Sequence, residues 1–373
     1  MNARAGEPAP RATHPIDTQG DFELATWQSY IKGLRNFWRT EAYQAVVHAA
    51  DSSLAPRDIE RQCADLPAYR LYAWLERHSQ QMKYYGRRGL VDLAAQRAGA
   101  CRALVEQARA ADPRGIALPA DFRVPQYVRD SHTHQHVGGV WAHPESAFAY
   151  EASTSGFSFA LGDAASPMKV YAQAAIDLAA SAGVQVRKVI DVGCATGGST
   201  QALHGAFPRA QVLGVDVCAP AVQLAHLRSR ERGESGEQVA FAQRAAEDLG
   251  VAAGSIDLVA SHWLYHEMPV AAIRAALKEA FRALGPGGLF LAFDMYLVPG
   301  GNVGAWLHEG YARRNNEPFA AGFSAMDLRA ELARVGFTGI DIRLAPPQPP
   351  ATRNGMPDTR THAMTLVTCR KPA

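Results

Sequence analysis

The residues best equipped for chemistry lie in the stretch His262 to Pro269 (HWLYHEMP), which sets His262, His266 and Glu267 close together. Histidine titrates near neutral pH, so His266 suits the removal of a proton from a hydroxyl acceptor. A carboxylate such as Glu267 or Asp294 suits the orienting of its ring. A thioether or tertiary amine acceptor carries no such proton and would leave His266 to shape or polarise a pocket.

A second stretch, Arg187 to Ser199 (RKVIDVGCATGGS), is an apolar run that ends on Asp191 and breaks into glycines. Val189, Ile190 and Val192 suit a parallel strand covered on both faces. Gly193, Gly197 and Gly198 let the backbone turn sharply and approach a ligand at the strand's carboxyl end. The following run, Gln211 to Val217 (QVLGVDV), carries Asp216 roughly twenty residues on, where a carboxylate accepts ribose hydroxyls. A nicotinamide-binding turn would read G-x-G-x-x-G. Here Asp191 precedes Gly193 and Ala195 stands where a second glycine would fall, which suits a positively charged ligand group better than a diphosphate. A third group, His132, His134 and His136, alternates and would share one face of an extended chain. Three imidazoles there have the means to hold a divalent ion, and serve equally as polar groups lining a pocket. No cysteine accompanies them, and a substrate-pocket role is the reading preferred.

The elements that must position these residues follow the α/β alternation. A helix over Met168–Ala182 precedes the first strand. After the glycine turn come a helix to Phe207, the strand 211–217, a helix over Pro220–Arg232 and a strand over Val239–Gln243. A strand over Ser255–Ser261 leads into the His262–Pro269 turn, a helix to Leu284 and a strand over Leu289–Asp294. The connection 295–323 is long and carries Trp306 and His308, so it reads as a specificity segment. A helix over Ala325–Val335, capped by Ser324 and stopped by Gly336, precedes two strands, Thr338–Leu344 and His362–Cys369, around a Pro-rich loop.

The run VIDVGCATGG resembles the first motif of class I S-adenosylmethionine-dependent methyltransferases, and the later segments follow that family's order over roughly Tyr171 to Lys371. The resemblance implies a Rossmann-like seven-stranded α/β domain binding S-adenosyl-L-methionine, with S-adenosyl-L-homocysteine as product. It implies cofactor contacts from Tyr171, Asp191, Gly193, Ala195, Gly197, Asp216, Ser261 and His262. The family commonly places an acid after the third strand for the adenine amino group, where this chain has Ala245, so the backbone at Ala246 or the side chain of Glu247 or Asp248 would take that part. His266-Glu267-Met268 resembles the His-Asp-Trp segment of phenolic O-methyltransferases, whose histidine is the general base. That resemblance implies His266 as the general base, with Glu267 or Asp294 as its support; the substrate is expected to face His132, His134 and His136 of the irregular stretch before the catalytic domain, Trp263 of the turn after the fourth strand, and Trp306 and His308 of the long connection. S- or N-methylation of a small metabolite is the alternative chemistry, and a cofactor-binding protein without catalysis is the alternative of another class.

The 373 residues exceed one typical domain, and the expected division is a disordered tail (1–20), a helical N-terminal domain for dimerisation or roofing (21–112), a linker and lid (113–163) and the catalytic domain (164–373). In the front half, aromatic and aliphatic residues recur at helical spacing, among them Phe22, Trp27, Tyr30, Phe37, Trp38, Tyr43, Leu71, Tyr72 and Trp74. They read chiefly as core. Five cysteines without C-x-x-C spacing fit reduced thiols in the cytoplasm. A net charge of +2, no basic cluster interleaved with aromatics and no Pro-Pro-aromatic segment after the fourth strand point away from nucleic acid and toward a small-molecule acceptor. No uncharged apolar run is long enough for a membrane span.

Overall fold

The computed structural model describes residues 15–16, 21–136, 139, 143–157, 167–345 and 364–373. Most of the expected tail and the Pro-rich loop therefore lie outside the described residues. Of the tail, Ile16 is buried among the front helices, and the Pro15 carbonyl accepts from Arg97 at 2.6 Å.

The front half folds as helices α1 (Phe22–Phe37), α2 (Tyr43–Ala49), α3 (Pro56–Cys63), α4 (Pro67–Tyr84), α5 (Leu90–Gln96) and α6 (Ala98–Ala111). Asp21 caps α1 by accepting from the Leu24 amide at 3.0 Å. Pro56 and Pro67 open α3 and α4, where a missing N–H is harmless. Trp38, Tyr43 and Tyr72 are core, as their spacing predicts, but Phe22, Tyr30, Phe37, Leu71 and Trp74 are exposed on α1 and α4. Those positions fall on the outer faces of the two helices, so the apolar periodicity there is broader than the buried stripe.

The segment after α6 holds a two-residue strand β1 (Ile116–Ala117), a short helix α7 (Gln126–Asp130) and α8 (Ser146–Phe157), before α9 (Pro167–Ala182) opens the α/β half. Among the described residues eight strands form one sheet in the order β1-β4-β3-β2-β5-β6-β8-β7. Its parallel body is β2 (Lys188–Val192), β3 (Gln211–Asp216), β4 (Val239–Gln243), β5 (Ile256–His262) and β6 (Leu284–Asp294). The strands β7 (Thr338–Leu344) and β8 (Thr365–Arg370) add the expected antiparallel pair beside β6. The extra strand, β1, pairs in parallel with β4 and was not foreseen, since two residues carry no readable alternation.

Val189, Ile190 and Val192 of β2 are buried, with helices on both faces of the sheet. Those helices are α9, α10 (Gly198–Ala206) and α11 (Ala219–Glu231) on the face of Val189 and Val212, and α12 (Val270–Ala283) and α15 (Leu328–Val335) on the face of Ile190 and Val259. The long connection 295–323 is mostly helix: α13 (Gly301–Asn315) and the short α14 (Ala320–Ala325). Ser324 lies inside α14, and α15 is capped instead by Asp327, which accepts from the Ala330 amide at 3.0 Å.

Two clusters tie the halves together. Val303, Trp306 and Leu307 of α13 pack with Trp38, Tyr43 and Tyr72, and Leu224 and Leu227 of α11 pack with Leu93, Val105 and Phe148. Each fully buried aliphatic or aromatic side chain contributes about 1.5–3 kcal/mol. The front helices are thus held over the carboxyl ends of the parallel strands.

Candidate active site

Two neighbouring cavities lie at those strand ends. The first holds about 990 Å³ of empty space, including what opens to solvent, and is lined by Gly193, Ala195, Asp216, Ala246, Leu264 and Glu267 among others. The glycine turn builds its floor. Gly193 and Cys194 both donate to the Val215 carbonyl, at 2.8 and 3.0 Å, and Gly193 and Ala195 take positive φ values of 74° and 45°. A Cβ at Gly193 would come within 2.8 Å of the Leu264 side chain.

Asp216 stands at the end of β3. Its Oδ2 accepts from the Ala195 amide at 2.9 Å and its Oδ1 from the Cys218 amide at 2.8 Å. Burial pushes its pKa up to about 6 against those two donors. Each carboxylate oxygen keeps a further lone pair for a ribose hydroxyl. Tyr127 of α7, which lines the cavity, donates to Glu247 Oε1 at 3.0 Å, but Glu247 is not itself a lining residue. Glycine at the turn's closest approach and a carboxylate with lone pairs left for a diol fit the ribose of a nucleoside. Glu267 also lines this cavity.

Several expected cofactor contacts turn out to lie behind this surface. Asp191 is fully buried, and its carboxylate accepts from Ser199 and Thr200 at 2.6 Å each and from Tyr171 at 3.3 Å. It braces the glycine turn instead of meeting a ligand, because β2 is covered on both faces and α10 returns its hydroxyls to that carboxylate. Burial raises its pKa to about 6. Tyr171 is likewise interior. Gly197 caps α10 at φ 87°, and a Cβ there would meet the Cβ of Ala225 at 3.0 Å. Ser261 and His262 are buried at the end of β5, His262 packing against Tyr171, Trp263 and Phe293. Burial lowers the His262 pKa to about 4, so this ring is neutral.

The second cavity, about 730 Å³, shares His134, Tyr150, Trp263 and Glu267 with the first and adds His266, Lys83 and Arg35. Strands β5 and β6 are in register, His262 opposite Phe293, so the turn after β5 folds across the end of β6. Trp263 makes that turn at φ 55°, and Tyr265–Glu267 form one 3₁₀ turn. His266 Nδ1 thereby lies 2.6 Å from Asp294 Oδ1. Asp294 is fixed by the amides of Leu264, Tyr265 and Met295 at 3.1, 2.6 and 2.7 Å. Burial alone would lower the imidazole's pKa, but the charge and hydrogen bond of Asp294 raise it to about 9. Burial alone would raise the pKa of Asp294, and His266 brings it down.

Glu267 lies 3.8 Å from His266 Nε2 and is engaged elsewhere. Its Oε1 pairs with His134 Nε2 at 2.9 Å, and His134 Nδ1 reaches Glu317 at 3.1 Å. Burial would lower the His134 pKa, yet the two carboxylates raise it to about 10. His134 thus clasps the front segment to the sheet half, with Glu267 as its anchor.

The histidine trio does not share a face. Thr133–Gln135 form a 3₁₀ turn with His134 at φ 58°. His132 is exposed, and His136 is buried with its ring 4.9 Å from that of Tyr84. No group of three or more His, Cys, Asp or Glu side chains placed to hold a metal ion is found among the described residues. Trp306 belongs to the core beneath α13, where a large apolar ring is worth more in packing than at a wet surface. His308 meets Ser324 at 3.2 Å, and neither it nor Trp306 lines the cavities. The lining residues that the sequence did not single out, Arg35, Lys83, Tyr84, Tyr127 and Tyr150, come from helices without a recognisable pattern.

Residues 189–288 match the family model described as "Methyltransferase domain". Over 110 residues the chain is 32% identical to an uncharacterised methyltransferase of Synechocystis, covering 30% of this chain and 48% of that protein. Over 109 residues it is 31% identical to the malonyl-[acyl-carrier protein] O-methyltransferase of Xylella fastidiosa, covering 28% and 34%. The chain spans about half and about a third of the lengths of these curated relatives. Among solved structures, the YcgJ protein of Bacillus subtilis aligns at 19% identity and a TM-score of 0.43, covering 54% of this chain and 98% of that one. The phosphoethanolamine N-methyltransferase 2 of Haemonchus contortus aligns at 14% and 0.40, covering 60% of each. The matched stretch, residues 189–288, holds the glycine turn, Asp216 and the His262–Pro269 turn, so this part of the α/β half is similar to a methyltransferase domain.

Proposed function

We propose that the protein transfers a methyl group from S-adenosylmethionine to an oxygen of a small molecule, with the cofactor in the first cavity and the acceptor in the second. The observation that carries this reading is the His266–Asp294 pair. It is buried, anchored by backbone amides, and set on the wall of a cavity that adjoins the cofactor cavity through Trp263 and Glu267.

When bound, the cofactor supplies a methyl on a positively charged sulfur, so most of the acceleration comes from alignment. The protein's own part is to hold the acceptor and to manage one proton. Asp294 fixes Nδ1 of His266 as the protonated nitrogen, which leaves Nε2 to accept the acceptor's proton as its oxygen becomes a nucleophile. The charge of Asp294 stabilises the imidazolium so formed. Glu267 keeps the front segment closed through His134, and Asp216 holds the ribose. The O-methyltransferase named among the curated relatives agrees with an oxygen acceptor.

Acceptor panels test the proposal. Purified protein is assayed for S-adenosylhomocysteine release with phenols, carboxylic acids, thiols and amines, alongside His266→Ala. Turnover on hydroxyl or carboxyl acceptors that falls about 10²-fold or more in the variant supports it. Turnover on amines or thiols that survives the substitution would replace it with a reading in which His266 only shapes the cavity.

A further inference from the structure

The first cavity crosses the ends of four strands, and their order gives a direction to a ligand lying across them. Leu264 and Glu267 follow β5, Gly193 and Ala195 follow β2, Asp216 ends β3, and Arg244 and Ala246 follow β4, in the order in which these strands stand side by side. The second cavity adjoins on the β5 side, through Trp263 and Glu267. A methyl donor whose ribose is held by Asp216 must turn its sulfur to that side, so its base reaches the β4 side. The lining there is largely apolar, from Val217 and Ala221 after β3, Ala246 after β4 and Tyr127, whose hydroxyl meets Glu247 at 3.0 Å. Arg244 is the charged side chain at this end. An apolar slot with one well-placed polar group is the usual form of a site for a flat heterocycle.

Arg244 is placed by its backbone and by a glycine. It follows Gln243, the partner of Asp216 in the β3–β4 register, and its amide donates to the Asp216 carbonyl at 3.0 Å. A Cβ on Gly250 would come within 2.6 Å of its Nε and 3.0 Å of its Cζ, so glycine there leaves the guanidinium room to lie against the backbone. The side chain is half-buried, and no ion pair or hydrogen bond of its guanidinium is found among the described residues. Its N–H donors are left for a ligand or water. Next to it, Ala245 offers no side-chain acceptor.

On the reading of this cavity as the cofactor site, we infer that Arg244 binds the purine of S-adenosylmethionine, donating to a ring nitrogen at the place where a carboxylate would accept from the amino group. A guanidinium has donors and no acceptor, so it is matched by the in-plane lone pair of N1, N3 or N7 and not by the exocyclic amino group. Arg244 is thus a residue of cofactor recognition, with no part in the proton transfer at His266.

The test is calorimetric titration of the full chain with S-adenosylhomocysteine and with its 1-deaza, 3-deaza and 7-deaza forms, each of which replaces one ring nitrogen by C–H. Wild type is expected to bind at least one deaza form about tenfold or more weakly than the parent. Arg244→Met should weaken the parent by a similar factor and abolish that penalty, because the contact is then missing from both ligands. A penalty due to a backbone amide persists in the variant, so only one that vanishes belongs to Arg244. Thermal midpoints without ligand, measured first, report an intact fold. If Arg244→Met fails there, the shorter and uncharged Arg244→Gln takes its place. No deaza penalty in wild type, penalties that all persist in the variant, or parent affinity unchanged by the substitution overturns the inference and leaves the cofactor reading standing. Failure of wild type to bind S-adenosylhomocysteine overturns the reading on which it rests.

Discussion

At His266 the proton balance dictates a pH dependence. With a pKa held near 9 by Asp294, the ring is protonated at neutral pH, and its basic form grows about tenfold per pH unit below that value. For a hydroxyl acceptor, kcat/KM should therefore climb from neutrality and level off near pH 9. Asp294→Asn removes the charge that raises the pKa, so the inflection moves to lower pH while the plateau falls by about 10²-fold or more. Initial rates across the alkaline range measure both effects, and a profile unchanged by Asp294→Asn would sink the role of this pair. At Asp216, loss of the carboxylate removes charged hydrogen bonds of about 1.5–3 kcal/mol each. Asp216→Ala should weaken S-adenosylmethionine binding at least about tenfold by calorimetric titration. The places of Asp216 and Asp294 could be read from the sequence because each ends a strand whose neighbours are fixed by the α/β order. Asp191 was legible as to place but misread as to direction. Its hydroxyl partners, Ser199 and Thr200, lie only eight and nine residues on, but only the folded α10 shows that they turn back to it.

Among the elements, the 3₁₀ turn at Thr133–Gln135 shows where pattern reading gave out. Alternation of His132, His134 and His136 presumes an extended chain, whereas the left-handed His134 aims its ring at Glu267 and Glu317, with His132 exposed and His136 beside Tyr84 on the first cavity's lining. Those partners lie 133 and 183 residues away in the chain, a separation that no local pattern encodes. The clasp has a measurable signature. A histidine whose folded pKa is raised stabilises the fold fully below its unfolded value of about 6.5, and that stabilisation fades as pH rises through about 10. Thermal midpoints should therefore decline on the alkaline side, and His134→Gln should both flatten that decline and lower stability at neutral pH by on the order of 3 kcal/mol. Equal midpoints for wild type and variant across the range would show that the clasp contributes nothing. The turn after β5 shows the reverse case. There the His262–Pro269 stretch, singled out for its two histidines and acid after the fourth strand, lines the second cavity through Trp263, His266 and Glu267, and Trp263 makes the turn at positive φ.

Across the whole molecule, the two halves share apolar clusters through α11 and α13, so they should not melt separately. Trp27, Trp38 and Trp74 report on the front helices, Trp263 on the strand ends and Trp306 on the junction. Tryptophan fluorescence and far-ultraviolet circular dichroism should trace a single coincident transition on heating. Added S-adenosylhomocysteine should shift it upward as one, by mass action on the folded state. Two resolved steps would mean that the shared clusters are too weak to couple the halves. The sheet half could be laid out from the sequence because apolar runs and glycine stops repeat with α/β spacing. The roof could not, since its helices carry no motif that fixes where Arg35 or Lys83 will point.

The small strand β1 bears on a different property. Without Ile116 and Ala117, β4 would be the sheet's border on that side, with a bare row of amides and carbonyls open to any passing extended chain. By running that short piece along β4 before the chain enters the α/β half, the protein covers part of its own border. A mutation that frees this stretch would be felt first as clumping of newly made protein, before any loss of turnover per folded molecule.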